Sequence, residues 1–269
     1  MGTVAQIRTY LEAQDIVVQP ASIRPSFFDP SREITGEAPA WSTLATQTHN
    51  NVDLARTQAE SMSLASMLAV HILGAHAGEN VLDMCAAPGM KSLYLHALEP
   101  NVRLYSNDLS ADRIGRMRRL LEKHSVSADI TKSDARFLGD VYDEAFFDKV
   151  LIDAPCSGEG LAMVGNQRQA EAWSPAKVKR LQQLQIKILK TGWHLLRPGG
   201  TLVYATCTLN KNENERVIHK ALKIDVSVVE APLSLHTLPL LQHAQALRVL
   251  PSENSIGFFV ALLQKHPEE

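Results

Sequence analysis

Residues 80–98 read NVLDMCAAPGMKSLYLHAL. A short apolar run over residues 80–85 gives way to a loop of small residues and then to a helical pattern over residues 89–98. The run has the length and aliphatic content of a buried strand. Small side chains in the loop let the backbone approach another group closely, and the helix that follows offers unpaired N–H groups in its first turn. The spacing is neither GxxxxGK[ST] nor GxGxxG. Taken alone, the stretch is therefore also open to reading as a plain strand-to-helix turn.

The same alternation continues outward. Residues 102–107, 128–131 and 149–153 read as strands, the last ending in an acid, and residues 111–124 as a helix. Residues 175–196 form a long helical pattern with Pro175 in its first turn, where a missing N–H costs nothing. Arg197-Pro198-Gly199-Gly200 turns the chain into a strand over 201–205, then come a helix over 212–222 and a last strand over 257–264. Strands alternating with helices imply an α/β fold with a doubly wound, mostly parallel sheet. Upstream, residues 3–14 read as a short helix. Pro20, Pro25, Pro30 and Pro39, with Gly36, read as irregular wrapping structure. A helical pattern then runs over 53–73 through Leu54, Met62, Leu64, Met67, Leu68 and Ile72, and Gly74 closes it. The expected division is a wrapping segment over 1–52 and the main domain over 53–269.

With 269 residues and 45% hydrophobic content the chain can bury a full core. Its 27 Lys and Arg against 29 Asp and Glu weigh against indiscriminate nucleic-acid binding but leave room for a local basic face. Arg168 and the stretches 113–119 (RIGRMRR) and 177–190 are the candidates, with solvated helix faces as the alternative. Cys85, Cys156 and Cys207 are odd in number and form no CxxC pair, which argues against a disulfide framework or a metal site. The ten histidines show no ligand spacing, and Trp173 and Trp193 read as packing residues. The chain shows no signal-peptide pattern and no apolar run near the ~18 residues of a membrane span, so a cytoplasmic protein without membrane contact is expected.

A doubly wound sheet binds ligands beyond the carboxyl ends of its strands. Asp108 stands there in Ser106-Asn107-Asp108, placed to accept from ribose hydroxyls; Asp108 or Ser110 serves equally well as the cap of the next helix. Asp134 follows the third strand, suited to an adenine amino group or to a turn. Residues 152–160 (IDAPCSGEG) and 204–208 (YATCT) end neighbouring strands, so Asp153, Cys156 and Cys207 face one cavity. A lone cysteine is most often a small buried hydrophobe; two at strand ends suggest chemistry. A thiolate adding to carbon 6 of cytosine makes carbon 5 nucleophilic toward a methyl sulfonium, provided the site favours the thiolate. Asp153 would assist at the ring's N3 edge, a base would remove the carbon 5 proton, and the target base must be unstacked.

Together these residues resemble the Sun/Nop (RsmB/RsmF-type, NSUN-like) family of RNA (cytosine-5)-methyltransferases. The matching stretches are residues 81–92 (VLDMCAAPGMKS), 106–110 (SNDLS), 133–136 (SDAR), 147–160 (FDKVLIDAPCSGEG), 173–175 (WSP), 196–215 (LRPGGTLVYATCTLNKNENE) and 257–265 (GFFVALLQK). The resemblance covers residue 53 to the C-terminus. It implies a Rossmann-like class I S-adenosylmethionine-dependent methyltransferase with a seven-stranded sheet whose last strand is antiparallel. It implies Cys207 as nucleophile, Cys156 in product release, and Asp153 and Lys91 at the reacting centre. S-adenosylmethionine would lie against Cys85, Ala86, Ala87, Pro88, Gly89, Met90 and Lys91, with Asp108, Asp134 and Asp153 around it. Met90 departs from the family by replacing the second glycine of PGGK, residues 56–70 match only loosely, and the chain reads as a bare catalytic core. The implied substrate is RNA, ribosomal first and transfer RNA second, handled by a monomer without a metal. Two rivals stand beside this. A non-catalytic RNA-binding ribosome assembly factor could keep the cofactor pocket but needs neither thiol. A small-molecule methyltransferase leaves both thiols unexplained.

Overall fold

Thr3 opens the first helix, α1 (Val4–Glu12). Its hydroxyl accepts the Gln6 N–H while the Gln6 side chain accepts the Thr3 N–H, a capping box that satisfies two otherwise unpaired donors. The computed structural model describes residues 2–28, 36–48, 59–236 and 241–267. Within the region expected to be irregular, β1 (Ser26–Phe28), β2 (Ala45–Gln47) and β3 (Glu60–Ser61) form a small antiparallel sheet in the order β2-β1-β3. All residues of β1 and β2 are buried, so the inside–outside alternation that betrays a strand is missing. The helix expected over 53–73 begins only at α2 (Leu64–Leu73), because the Ser63 hydroxyl caps it by accepting the Ser66 N–H and β3 precedes it. Gly74 ends it in the left-handed conformation. Pro30, Leu54, the rest of residues 53–58 and the expected boundary at 52/53 lie outside the described residues.

The aliphatic runs then form one large sheet. β4 (Asn80–Asp83), α3 (Met90–Leu98), β5 (Arg103–Asp108), α4 (Ala111–Lys123) and β6 (Asp129–Lys132) follow the expected alternation, and a short 3-10 helix over Ala135–Asp140 comes next. β7 (Phe147–Asp153) leads to two five-residue helices, α5 (Glu159–Met163) and α6 (Gln167–Glu171), and to the long α7 (Pro175–Leu195). β8 (Leu196–Thr206), α8 (Glu215–Leu222), β9 (Ser227–Pro232), β10 (Gln245–Leu250) and β11 (Phe258–Gln264) complete the order. The sheet runs β6-β5-β4-β7-β8-β11-β10-β9. β11 is antiparallel to both neighbours and the other pairs are parallel.

Among the described residues the sheet thus has eight strands rather than seven. β9 is a half-exposed edge strand, and β10 carries the fully buried Arg248 in its middle, so neither shows an apolar strand pattern. The expected turn at Arg197–Gly200 is absorbed into β8 as a register shift opposite Phe147 and Lys149, with Gly199 at positive φ.

Helices cover both faces. Leu68, Leu93 and Met117 of α2, α3 and α4 pack on one face, and Ile188, Leu189 and Ile218 of α7 and α8 on the other. The chain winds outward in opposite directions from β4 and β7, which opens the crevice at their carboxyl ends. A third cluster docks Ile7 and Leu11 of α1 against Met163, Trp173 and Leu209. Ile7 and Leu11 are fully buried, each worth about 1.5–3 kcal/mol of hydrophobic stabilisation. The N-terminal helix therefore braces the loops that follow β7 and β8.

Candidate active site

Asp153 and Ala205 are register partners on β7 and β8, so the loops that leave these strands start side by side. Cys156 and Cys207 sit on those loops with their sulfurs 3.1 Å apart. The hydrogen bond to Cys207, and then burial, raise the Cys156 pKa well above that of an ordinary thiol, so Cys156 keeps its proton. Asp153 Oδ2 accepts from Lys91 Nζ at 2.6 Å. Burial alone would lower the Lys91 ammonium pKa, but the negative groups around it, Asp153 foremost and then Asp83, together carry that pKa upward.

Buried polar side chains hold the two loops. Glu159 and Glu213 are fully buried and bind across the loops. Glu159 accepts the N–H groups of Leu209 and Asn210 and the indole N–H of Trp173. Glu213 accepts the Ser157 N–H and the Gln185 amide, which also donates to the Pro155 carbonyl. Burial pushes the Glu213 carboxyl up, opposed by its hydrogen bonds. The fully buried Arg248 donates to the Leu209 carbonyl and pairs with Glu215 and Glu230. Gly160 donates to the Cys207 carbonyl at 3.0 Å. Glu159 and Glu213 stand within the matching stretches 147–160 and 196–215, but no local pattern marks them or Arg248 as site residues, because their partners lie far along the chain.

Beside the thiols a cavity of about 430 Å³ opens, lined in part by Cys85, Asp108, Asp134, Asp153, Cys156 and Cys207. Ser110 proves to be the cap of α4, which leaves Asp108 to face the cavity, with Arg113 Nη1 3.0 Å from it. Asp134 sits just past the end of the third strand of the alternation and serves the turn there. It lines the cavity and caps the 3-10 helix, and its hydrogen bonds from Arg136 hold its carboxyl below the usual range. Burial pushes the Cys85 thiol far up, so it is a poor nucleophile.

Of the loop residues, Cys85 lines this cavity, and Ala86, Ala87, Pro88, Gly89, Met90 and Lys91 do not. The loop spends its closeness elsewhere: Gly89 has φ +106°, and a Cβ there would stand 2.7 Å from Met117 of α4. Arg113 also donates to the Ala87 carbonyl. Asn107, unremarked in the sequence beside Asp108, is buried and ties three strand ends together by donating to Met84 and Ser133 carbonyls while accepting the Ser133 N–H.

A larger groove of about 840 Å³ runs along α1 and residues 171–175, but its lining holds no thiol, lysine or histidine. The chemistry, not the volume, marks the site. Trp173 is buried against Tyr10, as expected of a packing residue. Among the described residues no cluster of His, Cys, Asp and Glu is arranged to hold a metal, and no described helix is long and apolar enough to cross a membrane.

A parallel-centred sheet with acids at successive strand ends and a cavity at the switch between β4 and β7 defines a Rossmann-like class I methyltransferase fold. The chain belongs to the 16S rRNA methyltransferase RsmB/F family, whose profile matches residues 70–264. It is 36% identical over 211 residues to the ribosomal RNA small subunit methyltransferase F of Serratia proteamaculans, covering 75% of this chain and 44% of that protein. It is 37% identical over 178 residues to the mitochondrial tRNA (cytosine(34)-C(5))-methyltransferase of Mus musculus, covering 64% of this chain and 51% of the relative. The crystal structure of a methyltransferase homolog protein from Pyrococcus horikoshii superposes with a TM-score of 0.72 at 26% identity, covering 90% of this chain and 87% of that one. The chain spans about half the length of the curated relatives it matches.

Proposed function

We propose that this protein transfers a methyl group to carbon 5 of cytosine in RNA, with Cys207 as the attacking thiol. The observation that carries the reading is the 3.1 Å approach of Cys156 and Cys207 at the edge of a cavity with acids at its strand ends. Ribosomal RNA is the first substrate, since the family and the Serratia relative bear that name; transfer RNA is the second, after the mouse relative. Residues 53–269 act as the catalytic domain, residues 1–52 as its wrapping segment, and the protein works as a cytoplasmic monomer without a metal.

The cavity suits S-adenosylmethionine. Its volume of about 430 Å³ falls within the range of small-molecule sites, and Asp108 and Asp134 offer acceptors at successive strand ends for ribose hydroxyls and an exocyclic amine. Bound there, the cofactor supplies an electrophilic methyl group. The chain's own residues do the rest. Cys207, as thiolate, adds to carbon 6 of the unstacked base and so raises electron density at carbon 5. Asp153 faces the N3 edge of the ring and relays a proton from the Lys91 ammonium to N3, where negative charge develops. Once a base has taken the carbon 5 proton, the carbon–sulfur bond breaks. Cys156, which holds its proton against Cys207, returns one to the departing sulfur.

The test uses RNA from a strain lacking this protein, with methyl-labelled S-adenosylmethionine. Wild type is expected to form 5-methylcytosine and Cys207→Ala none, while Cys156→Ala accumulates a denaturant-resistant protein–RNA adduct. If wild type binds the cofactor yet methylates no RNA, the enzymatic reading fails and the assembly-factor reading takes its place.

A further inference from the structure

A groove of about 380 Å³ lies on the outer side of α7, lined by Arg136, Arg180, Leu181, Gln183, Leu184 and Lys187. Three of the six carry cationic side chains and none carries a carboxylate. Arg180, Gln183, Leu184 and Lys187 follow the i, i+3, i+4, i+7 spacing and so share one helix face. Arg180 and Lys187 are exposed, and neither makes an ion pair among the described residues. Arg136 differs: Asp134 holds its Nη2 at 2.6 Å, and its guanidinium stands 5.3 Å over the ring of Phe137. That ring is 54% exposed, an unusual state for a phenylalanine in a chain with a full core. The groove is continuous with the cavity holding the thiols, because Arg136 and Leu184 line both.

We infer that this groove is the track for the RNA strand that flanks the target base, with phosphates on Arg180 and Lys187 and a neighbouring base stacked on Phe137. The inference rests on the proposed function, which it deepens by giving the substrate a path. A chain of net charge −2 attracts RNA only through a local field, and this face supplies one beside the site. Free cations neutralise phosphates in a salt-dependent way, whereas an exposed ring offers a surface that a nucleic-acid base fills and a simple polyanion does not. Positive charge beside an aromatic platform is the combination that single-stranded RNA fits.

The test is fluorescence anisotropy of a labelled oligocytidylate between about 50 and 200 mM salt. Arg180→Ala/Lys187→Ala is expected to weaken binding roughly tenfold and to lower the slope of log affinity against log salt by about 1.4, at about 0.7 per phosphate contact. Phe137→Ala is expected to weaken binding roughly fivefold or more with the slope unchanged, since it removes stacking and no charge. Binding of S-adenosylmethionine to the double variant, read by calorimetry, stays at the wild-type value. The inference is overturned if the double variant keeps wild-type affinity and slope, or if polyglutamate of matched charge binds wild type as tightly as the oligonucleotide. Methyl transfer separates the two readings. Wild type that methylates RNA while the variants bind normally removes the groove alone. Wild type that methylates nothing while the variants still lose binding removes the enzymatic reading alone.

Discussion

Glu159 and Glu213 anchor each other's cysteine loop. Glu159 lies three residues beyond Cys156 and accepts from the Leu209 and Asn210 N–H groups, at 3.0 and 2.9 Å, beyond Cys207. Glu213 lies six residues beyond Cys207 and accepts at 3.0 Å from the N–H of Ser157, next to Cys156. The Asn210 amide joins the two carboxylates, donating to each at 2.9 Å. The 3.1 Å between the thiols is therefore set by a closed polar network and not by the strands alone.

Glu213→Gln turns an acceptor of three hydrogen bonds into a group with one oxygen and an amide that must face other donors. A loss of about 1–3 kcal/mol is expected, or roughly 2–5 °C in melting temperature. Displacing the loops by as little as ~1 Å lowers kcat by up to about a hundredfold, while KM for S-adenosylmethionine holds because Asp108 ends β5 and Asp134 follows β6, away from both loops. Steady-state kinetics beside a melting curve decide the matter: a lower melting temperature with intact kcat makes the carboxylate structural only.

Lys91 and Asp153 act as one unit in the proposed chemistry, so their substitutions should not add. Their side chains are 11% and 32% exposed, which places the pair between the surface and the fully buried regime. Asp153→Asn and Lys91→Met are each expected to lower kcat by roughly a hundredfold, and the double variant no further than the worse single. Multiplying losses in the double variant would mean that the two residues work independently.

Much of this site was legible because strand ends are. A run of aliphatic residues closed by an acid or a cysteine places that residue in the crevice wherever the sheet lies, which located Asp108, Asp134, Asp153, Cys156 and Cys207. The loop at Ala86–Lys91 is legible as a place of close approach, and one such approach, that of Gly89 to Met117, shows only in the packing of α4. Glu159, Glu213 and Asn107 escaped notice because a buried carboxylate or amide is recognisable only by partners that local pattern does not show. β10 escaped for a related reason. Arg248 interrupts its apolar run and is tolerable there only because Glu215 and Glu230, remote in sequence, neutralise it.

Asp83 predicts a pH effect of definite sign. It is fully buried at the end of β4, with a Ser92 hydroxyl on Oδ2 at 2.7 Å and, among the described residues, no partner for Oδ1. Burial pushes its pKa up to about 7, above the value of about 3.9 in an unfolded chain. Between about pH 4 and 7 the folded state binds the extra proton, so this residue's contribution makes stability fall as pH rises through that window. Asp83→Asn keeps the acceptor for Ser92 and removes the titration. Chemical denaturation should show the variant gaining roughly 2–3 kcal/mol on wild type between pH 5 and 8. Parallel pH curves for the two proteins would refute the assignment.

Gly160 tests whether the thiol loops have room to move. Its N–H donates to the Cys207 carbonyl, and its Cα faces Gly257 just before β11 so closely that an added Cβ would lie 1.7 Å from the Gly257 carbonyl oxygen. The obstacle is backbone on both sides, so no side-chain rotation relieves it. Gly160→Ala must push the Cys156 loop away from β11 or fail to fold, and a loss of several kcal/mol is expected, by analogy with overpacked cores. Gly115→Ala on α4 is the control, for there the nearest atom to an added Cβ is Arg119 Nη1 at 3.7 Å. Alanine at this half-buried helical position, where the added methyl group meets only ordinary contacts, should stabilise by about 0.5–1 kcal/mol. The paired melting temperatures should move in opposite directions. If Gly160→Ala melts with wild type and keeps its kcat, the two loops are not held in register by this contact, and the closeness of the thiols must rest on Glu159 and Glu213 alone.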